Sequence, residues 1–325
     1  WRRGSAPAFR PSRNWVEETI LGEKGISMPL MKSGLWNDEG VSRRTVAANG
    51  LQIPILEAGD GPLVLCLHGF PDHARSWTPI LRRLAWEGYW AVAPAMRGYW
   101  PGGAAPDGQY GGSALGMDVL ALIAALGRET ADLVGHDIGA RAAYAAAGLE
   151  PDRIRKLVGM AVPYGQQLLT AFAADGDQQR RSWYMFFFQT RLAEVSVPLN
   201  DFAFIDRLWR EWSPSYALPN AERALLKESL GQPGVLSQTF GFYRQLFGAP
   251  PEDAALQARA NGPVNVPSLY LHGAEDGCMA AYLSEGMEAL FPRGLEKEII
   301  PGVGHFLHLE QPDTIATRIV KFLGP

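Results

Sequence analysis

At 325 residues and 35.5 kDa, with 47% hydrophobic and 20% charged residues, the chain has material for one large α/β domain or a core with an inserted subdomain. A formal net charge of −4 without a Lys/Arg cluster argues against a nucleic-acid partner and gives no reason to invoke an anionic membrane. Two cysteines make no disulfide framework, and with six histidines and no HExxH-type spacing no metal or other cofactor is expected.

The first 40 residues are rich in Gly, Ser, Pro and Arg, and an N-terminal extension is expected over residues 1–42. No apolar run reaches spanning length, and the basic start lacks the apolar stretch of a signal peptide. A cytoplasmic location is expected, with secretion left open because the chain opens on Trp rather than Met.

From Arg43 the pattern changes. RTVAANG and LQIPILEAG read as antiparallel strands about the turn Ala48-Asn49-Gly50. PLVLCLHGF is a short apolar run ending in glycine, the pattern of a strand buried on both faces, with Cys66 as a small buried hydrophobe. A helix from Arg75 to Glu87, the strand WAVAP, a Gly/Pro-rich loop and the helix SALGMDVLALIAALG follow. ADLVGH feeds the helix IGARAAYAAAG, and IRKLVGMAV is the next strand. This alternation means a parallel sheet with helices on both faces.

The rhythm stops between Pro163 and Asn261, where the text is aromatic and helical. It resumes with VPSLYLHG, a helix from Met279 to Phe291, the strand LEKEII and a last helix from Pro312. The expected architecture is a mostly parallel eight-stranded core (residues 43–162 and 263–325) with an all-helical cap (163–262) inserted in it.

One stretch carries a chemical question. Gly135-His136-Asp137-Ile138-Gly139 fills the pattern small-x-nucleophile-x-small of a strand-to-helix elbow, with a carboxylate where serine is familiar. Asp137 sits at the carboxyl end of a strand, the crest where open α/β sheets bind ligands, and the helix dipole favours negative charge there. An ordinary N-cap Asp would look the same. Two later features point to chemistry: Glu275-Asp276 after another strand, and His305 in a glycine-bounded loop after the last one. Nucleophile, acid, histidine is the α/β-hydrolase order.

HGFPDHARSW, APAMRGYW, VGHDIGA, LHGAEDGCM and GVGHFLHLEQP together resemble the α/β-hydrolase superfamily, in its epoxide hydrolase and dehalogenase branch with an Asp nucleophile. The resemblance implies backbone oxyanion donors at Phe70 and Ile138, Asp276 rather than Glu275 as orienting acid, and His305 as base. A carboxylate can attack saturated carbon and leave as part of an ester, which activated water then hydrolyses. His68, His136 and His272 read as structural hydrogen-bonders, His73 is unassigned, and His308 is expected to face the surface or the cap.

Halides and epoxides ask different things of the cap. A halide leaves without a proton, whereas an opening epoxide needs an acid. RSWYMFFFQ and GFYRQLF resemble the two tyrosine segments of epoxide hydrolases, which places the ring-opening acids at Tyr184 and Tyr243. Taken singly, each could be a core aromatic. The position after the nucleophile is Ile138, neither the halide-holding Trp of haloalkane dehalogenases nor the first arginine of the haloacetate pattern HDRGAR. Arg141 matches the second arginine, though a place at the sheet edge or beside an acid would equally explain it. Trp183, Phe187 and Arg141 are the substrate-pocket candidates.

The expected function is a cofactor-independent epoxide hydrolase acting on a small apolar epoxide and water, with a homodimer allowed. The alternative is a haloalkane or haloacid dehalogenase using the same Asp. A ligand-binding homologue without activity is the third reading.

Overall fold

The computed structural model describes residues 40–247 and 253–324; the expected extension lies almost wholly outside them. The first hairpin is β1 (Ser42–Ala48) and β2 (Leu51–Ala58), paired antiparallel with Ala48 opposite Leu51. Its turn places Asn49 at φ 47° and Gly50 at φ 73°, the left-handed pair that a two-residue hairpin with native twist requires.

Six further strands complete the sheet: β3 (Leu63–Leu67), β4 (Trp90–Pro94), β5 (Ala131–His136), β6 (Ile154–Met160), β7 (Ser268–Gly273) and β8 (Leu295–Ile300). The spatial order is β1-β2-β4-β3-β5-β6-β7-β8, antiparallel only at the β1–β2 and β2–β4 pairs. Every residue of β3, β5 and β7 is buried, as their unbroken apolar text requires. The chain leaves β3 toward β4 on one side and returns at β5 on the other. Their carboxyl ends therefore open a crevice at the switch in strand order, and Phe70 and Asp137 follow those two ends.

Helices α1 (Thr78–Trp86), α2 (Gly112–Ala125) and α3 (Ile138–Leu149) follow β3, β4 and β5. α3 is almost all alanine and glycine on its buried faces, so it lies tight between the sheet and α2. Between β6 and β7 come α4 (Gln166–Ala174), α5 (Gly176–Arg181), α6 (Trp183–Phe187), α7 (Leu192–Ser196), α8 (Leu199–Trp212), α9 (Asn220–Leu230), α10 (Val235–Phe247) and α11 (Ala254–Ala260). The last of these packs on α2 and α3, so its surface belongs to the core layer although its sequence lies within the helical insertion. Short α12 (Leu307–Glu310) and α13 (Pro312–Leu323) end the chain, and α13 packs on α1.

One expected element is different. The helix from Met279 to Phe291 is replaced by two 3-10 turns, Ala281–Ser284 and Met287–Leu290. Glu285 is extended (ψ 133°) and Gly286 is left-handed (φ 76°), and that pair breaks any helix. Among the described residues no helix is long and apolar enough to cross a membrane.

Candidate active site

Asp137 stands at the turn from β5 into α3 with φ 53° and ψ −120°, a conformation that costs a non-glycine residue roughly 1–3 kcal/mol. The flanking glycines make the turn sterically possible. A Cβ on Gly135 would lie 2.4 Å from the Gly139 carbonyl oxygen, and one on Gly139 would lie 2.1 Å from that of Leu67. The loop after β3 approaches equally closely: a Cβ on Gly69 would sit 2.2 Å from Asp137 Oδ1. That approach lets Phe70 N–H donate to Oδ1 at 2.8 Å. Ile138 occupies the first position of α3, where a backbone N–H has no helical partner. Tyr99, buried, donates to the Gly69 carbonyl at 3.0 Å and holds the loop in place.

His305 enters from the loop after β8. Its Nδ1 is 2.8 Å from Asp276 Oδ2, and its Nε2, without a hydrogen-bond partner, is 3.7 Å from Asp137 Oδ2. Asp276 is itself fixed, because Oδ1 accepts from the N–H groups of Cys278 and Met279 at 2.7 and 2.9 Å. Burial works against a charged imidazole, but the Asp276 and Asp137 carboxylates outweigh it and raise the His305 pKa to about 10. His305 is therefore an imidazolium held between two carboxylates at neutral pH.

The cap closes the site from above with Tyr184 on α6 and Tyr243 on α10. Both are buried, with ring centroids 5.6 Å apart at 83°. The Tyr184 hydroxyl lies 3.4 Å from Cys278 Sγ, and the Tyr243 hydroxyl is buried without any partner. Burial pushes both phenols well above their ordinary pKa, and the charge of Asp137 adds to the shift, so both remain protonated donors. Phe188 packs against Phe70, Tyr184 and Tyr243 at 5.4, 5.7 and 5.3 Å, and Trp212 lies 5.1 Å from the His305 ring.

This geometry meets a clear likeness to known proteins. Residues 62–312 match the family described as alpha/beta hydrolase fold. The chain belongs to that family. The hydrolase is 31% identical to "Epoxide hydrolase 3" of Xenopus tropicalis over 99% of its own length and 84% of that protein's. It is 28% identical to "AB hydrolase superfamily protein YfhM" of Bacillus subtilis over 88% and 99% of the two chains. A putative epoxide hydrolase from Klebsiella pneumoniae of solved structure superposes with a TM-score of 0.77 at 27% identity, covering 86% of this hydrolase and 96% of that chain. The hydrolase is thus epoxide hydrolase-like in sequence and in fold.

The remaining residues singled out from sequence fall in several places. His68 Nε2 accepts from Met96 N–H, His136 Nε2 donates to the His305 carbonyl at 2.9 Å, and His272 Nε2 donates to the Met279 carbonyl, all structural bonds. His308 does not face the surface or the cap. It is fully buried, stacked on Trp77 at 4.6 Å with Nε2 3.3 Å from Asp72 Oδ2. Burial alone would raise the Asp72 pKa, but contact with His308 reverses this and holds it below the usual carboxylate range. Trp183 and Phe187 are half-buried and pile on Phe204 at 5.3 and 5.5 Å, away from the tyrosines. Arg141 is the one residue between Ile138 and Ala147 that is only partly buried, and its guanidinium has no hydrogen bond or ion pair among the described residues. Burial lowers its pKa while the Asp137 and Tyr243 charges oppose the shift.

Phe188, Trp212, Tyr99 and Cys278 were not singled out as site residues by sequence. Phe188 has a signal, since it lies one helical turn beyond Tyr184 and so shares its face. Among the described residues, two sets of metal-capable atoms lie within 4.8 Å of one another inside each set: Asp276-Cys278-His305 and Asp72-His136-His308. In each, a histidine nitrogen already faces the carboxylate, at 2.8 and 3.3 Å respectively.

Proposed function

We propose that this hydrolase is a cofactor-independent epoxide hydrolase that opens a small apolar epoxide through an ester on Asp137. The observation that carries the reading is the Tyr243 hydroxyl, buried within the field of Asp137 beside the Tyr184 phenol, with no hydrogen bond of normal geometry. An unmade hydrogen bond at a buried hydroxyl costs about 1–3 kcal/mol, and a ring oxygen entering the site would relieve it. A departing halide needs no such proton donor.

In the first step Asp137 Oδ2 attacks a ring carbon, since Oδ1 is occupied by Phe70 N–H. The ring C–O bond breaks, and its oxygen takes a proton from Tyr243 or Tyr184. Esterification removes the negative charge of Asp137, one of the two charges that hold His305 protonated. The imidazole then releases its proton more readily, which regenerates the tyrosine's hydroxyl and leaves a base beside the ester.

In the second step water attacks Cγ of Asp137 and gives a proton to His305 Nε2. Phe70 N–H stabilises the oxygen that becomes negative. Collapse breaks the bond to the substrate, the diol leaves with the proton from His305, and the new Asp137 carboxyl gives its own proton to the freed imidazole, which restores the starting state. Asp276 does not change protonation; it fixes which imidazole nitrogen faces the water.

The decisive measurement is intact-protein mass of the His305→Gln variant mixed with styrene oxide. A gain equal to the whole epoxide, mapped to Asp137 and absent in Asp137→Asn, is expected, with turnover reduced by at least roughly 10³-fold. A gain equal to probe minus halide from haloacids, and none from epoxides, would replace this reading with the dehalogenase one. Full activity of freshly prepared Asp137→Asn would remove Asp137 as nucleophile.

A further inference from the structure

The end of α8 lies between the two loops that carry Asp276 and His305. The Trp212 carbonyl accepts from Gly277 N–H at 3.1 Å and from His305 N–H at 3.0 Å. The next residue continues the contact: Ser213 Oγ accepts from Phe306 N–H at 3.1 Å and donates to Glu310 Oε1 at 2.7 Å. Glu310 Oε2 accepts from Gly304 N–H at 2.9 Å and from Ser215 Oγ at 3.3 Å. Two consecutive N–H groups of the histidine loop therefore end on two consecutive residues of the helical insertion.

The approach leaves no room for side chains. A Cβ on Gly277 would lie 1.8 Å from the Glu211 carbonyl oxygen, and one on Gly304 would lie 2.6 Å from Ser213 Cα. Polarity runs one way through the contact. A carboxylate only accepts, so the Ser213 proton goes to Glu310 and its lone pair receives Phe306 N–H. Ser213 is fully buried, and neither it nor Glu310 touches a reacting atom.

We propose that Ser213 and Glu310 are positioning residues that set His305 from the helical insertion, so that the hydrolytic step depends on how the end of α8 is seated. The rate readout rests on the Asp137-ester reading. Attack by Asp137 uses the elbow and the tyrosines of α6 and α10, which meet this contact through His136 Nε2 on the His305 carbonyl and the Tyr184 ring on Trp212 at 4.8 Å, but not through Ser213 or Glu310. Water activation needs His305 Nε2 at hydrogen-bond distance from a water above Cγ, and a small shift of the loop carries the ring away from it.

The test uses Glu310→Gln, which keeps shape, and Ser213→Ala. Formation and decay of the Asp137 ester are followed by rapid quench and mass in single turnover, and the Nδ1–H resonance of His305 by NMR. Decay is expected to slow roughly 10- to 100-fold while formation changes by less than about 3-fold, so that ester accumulates at steady state. The His305 resonance should shift in both variants. Equal slowing of both steps, or unchanged decay in folded Glu310→Gln, overturns the proposal. If the wild-type protein forms no ester, the reaction reading fails by itself, and the resonance still decides: unmoved in Glu310→Gln, it sinks the positioning role. Should Ser213→Ala not fold, Glu310→Gln alone carries the test.

Discussion

The two walls that meet at Asp137 are held by different forces. The lower wall is backbone against backbone: Gly69, Gly135 and Gly139 each sit where a single methyl would overlap Asp137, Gly139 or Leu67. The upper wall is ring against ring: Phe188 and Tyr243 stand edge-on to Phe70 at 5.4 and 5.5 Å, and Phe240 and Tyr184 pack on Phe188 at 4.2 and 5.7 Å. Backbone contact fixes a nucleophile to a fraction of an ångström and tolerates no change. Packed rings place hydroxyls by shape alone, so a hydroxyl can be removed without disturbing the wall. The lower wall should therefore fail as a whole, and the upper wall group by group.

The largest expected effect exploits that difference. Tyr243→Phe should lower kcat/KM on an epoxide by roughly 10²- to 10⁴-fold, the range for loss of a positioned acid. It should also stabilise the unliganded protein by about 1 kcal/mol, because it deletes a buried donor with no partner. Tyr184→Phe should lower activity as well, but without the gain, since that hydroxyl already meets Cys278 Sγ at 3.4 Å. Thermal unfolding and initial rates on the same preparations decide it. A Tyr243→Phe protein less stable than wild type would mean that the hydroxyl has a partner in solution.

The second effect is a pH dependence that belongs to the lower wall. The folded pKa of His305 is raised to about 10 from an ordinary value near 6.5. Its contribution is thus fully present below about pH 6.5 and is lost as pH rises through about 10. The wild-type Tm should fall by roughly 5 °C or more between pH 7 and 10.5 relative to His305→Gln, whose other titrating groups are the same. Parallel curves for the two proteins would show that the two carboxylates do not hold a proton on the histidine.

What could be read from the sequence follows the same division. The lower wall was legible because backbone crossings demand glycine at fixed spacing, so Gly135-x-Asp137-x-Gly139 and the glycines around His305 spell out a strand-to-helix turn and a tight loop. The inner strands β3, β5 and β7 were legible because strands buried on both faces are written as short unbroken apolar runs, and the β1–β2 hairpin because Asn49-Gly50 marks its turn. Along the upper wall nothing demands one aromatic over its neighbour. Trp183, Phe187 and Phe188 read alike and all three pack on Phe204, and only the helical register carries Phe188 on to Tyr184, Phe70 and Tyr243 as well. His308 was misplaced for a related reason: its partner Asp72 is more than 200 positions away in sequence, and nothing local marks their buried contact. The pairing of Ser213 with Glu310 is equally non-local.

The smallest expected effect tests the boundary of the upper wall. Trp183 is half-buried, tilted on Phe204, and carries the Arg207 guanidinium 4.7 Å from its ring. Arg207 also bonds Glu211 at the surface, so the cation's attraction to the ring is screened and worth about 0.5–1 kcal/mol. Trp183→Leu should cost about that much plus one partly exposed ring contact, and should change kcat/KM by less than about 3-fold. Its neighbour by one helical turn, Phe187, lies on the same Phe204 pile and should behave alike. A loss above roughly 10-fold in Trp183→Leu, with Tm little changed, would show that substrate reaches past Phe188, and the upper wall would then be two aromatic layers deep rather than one.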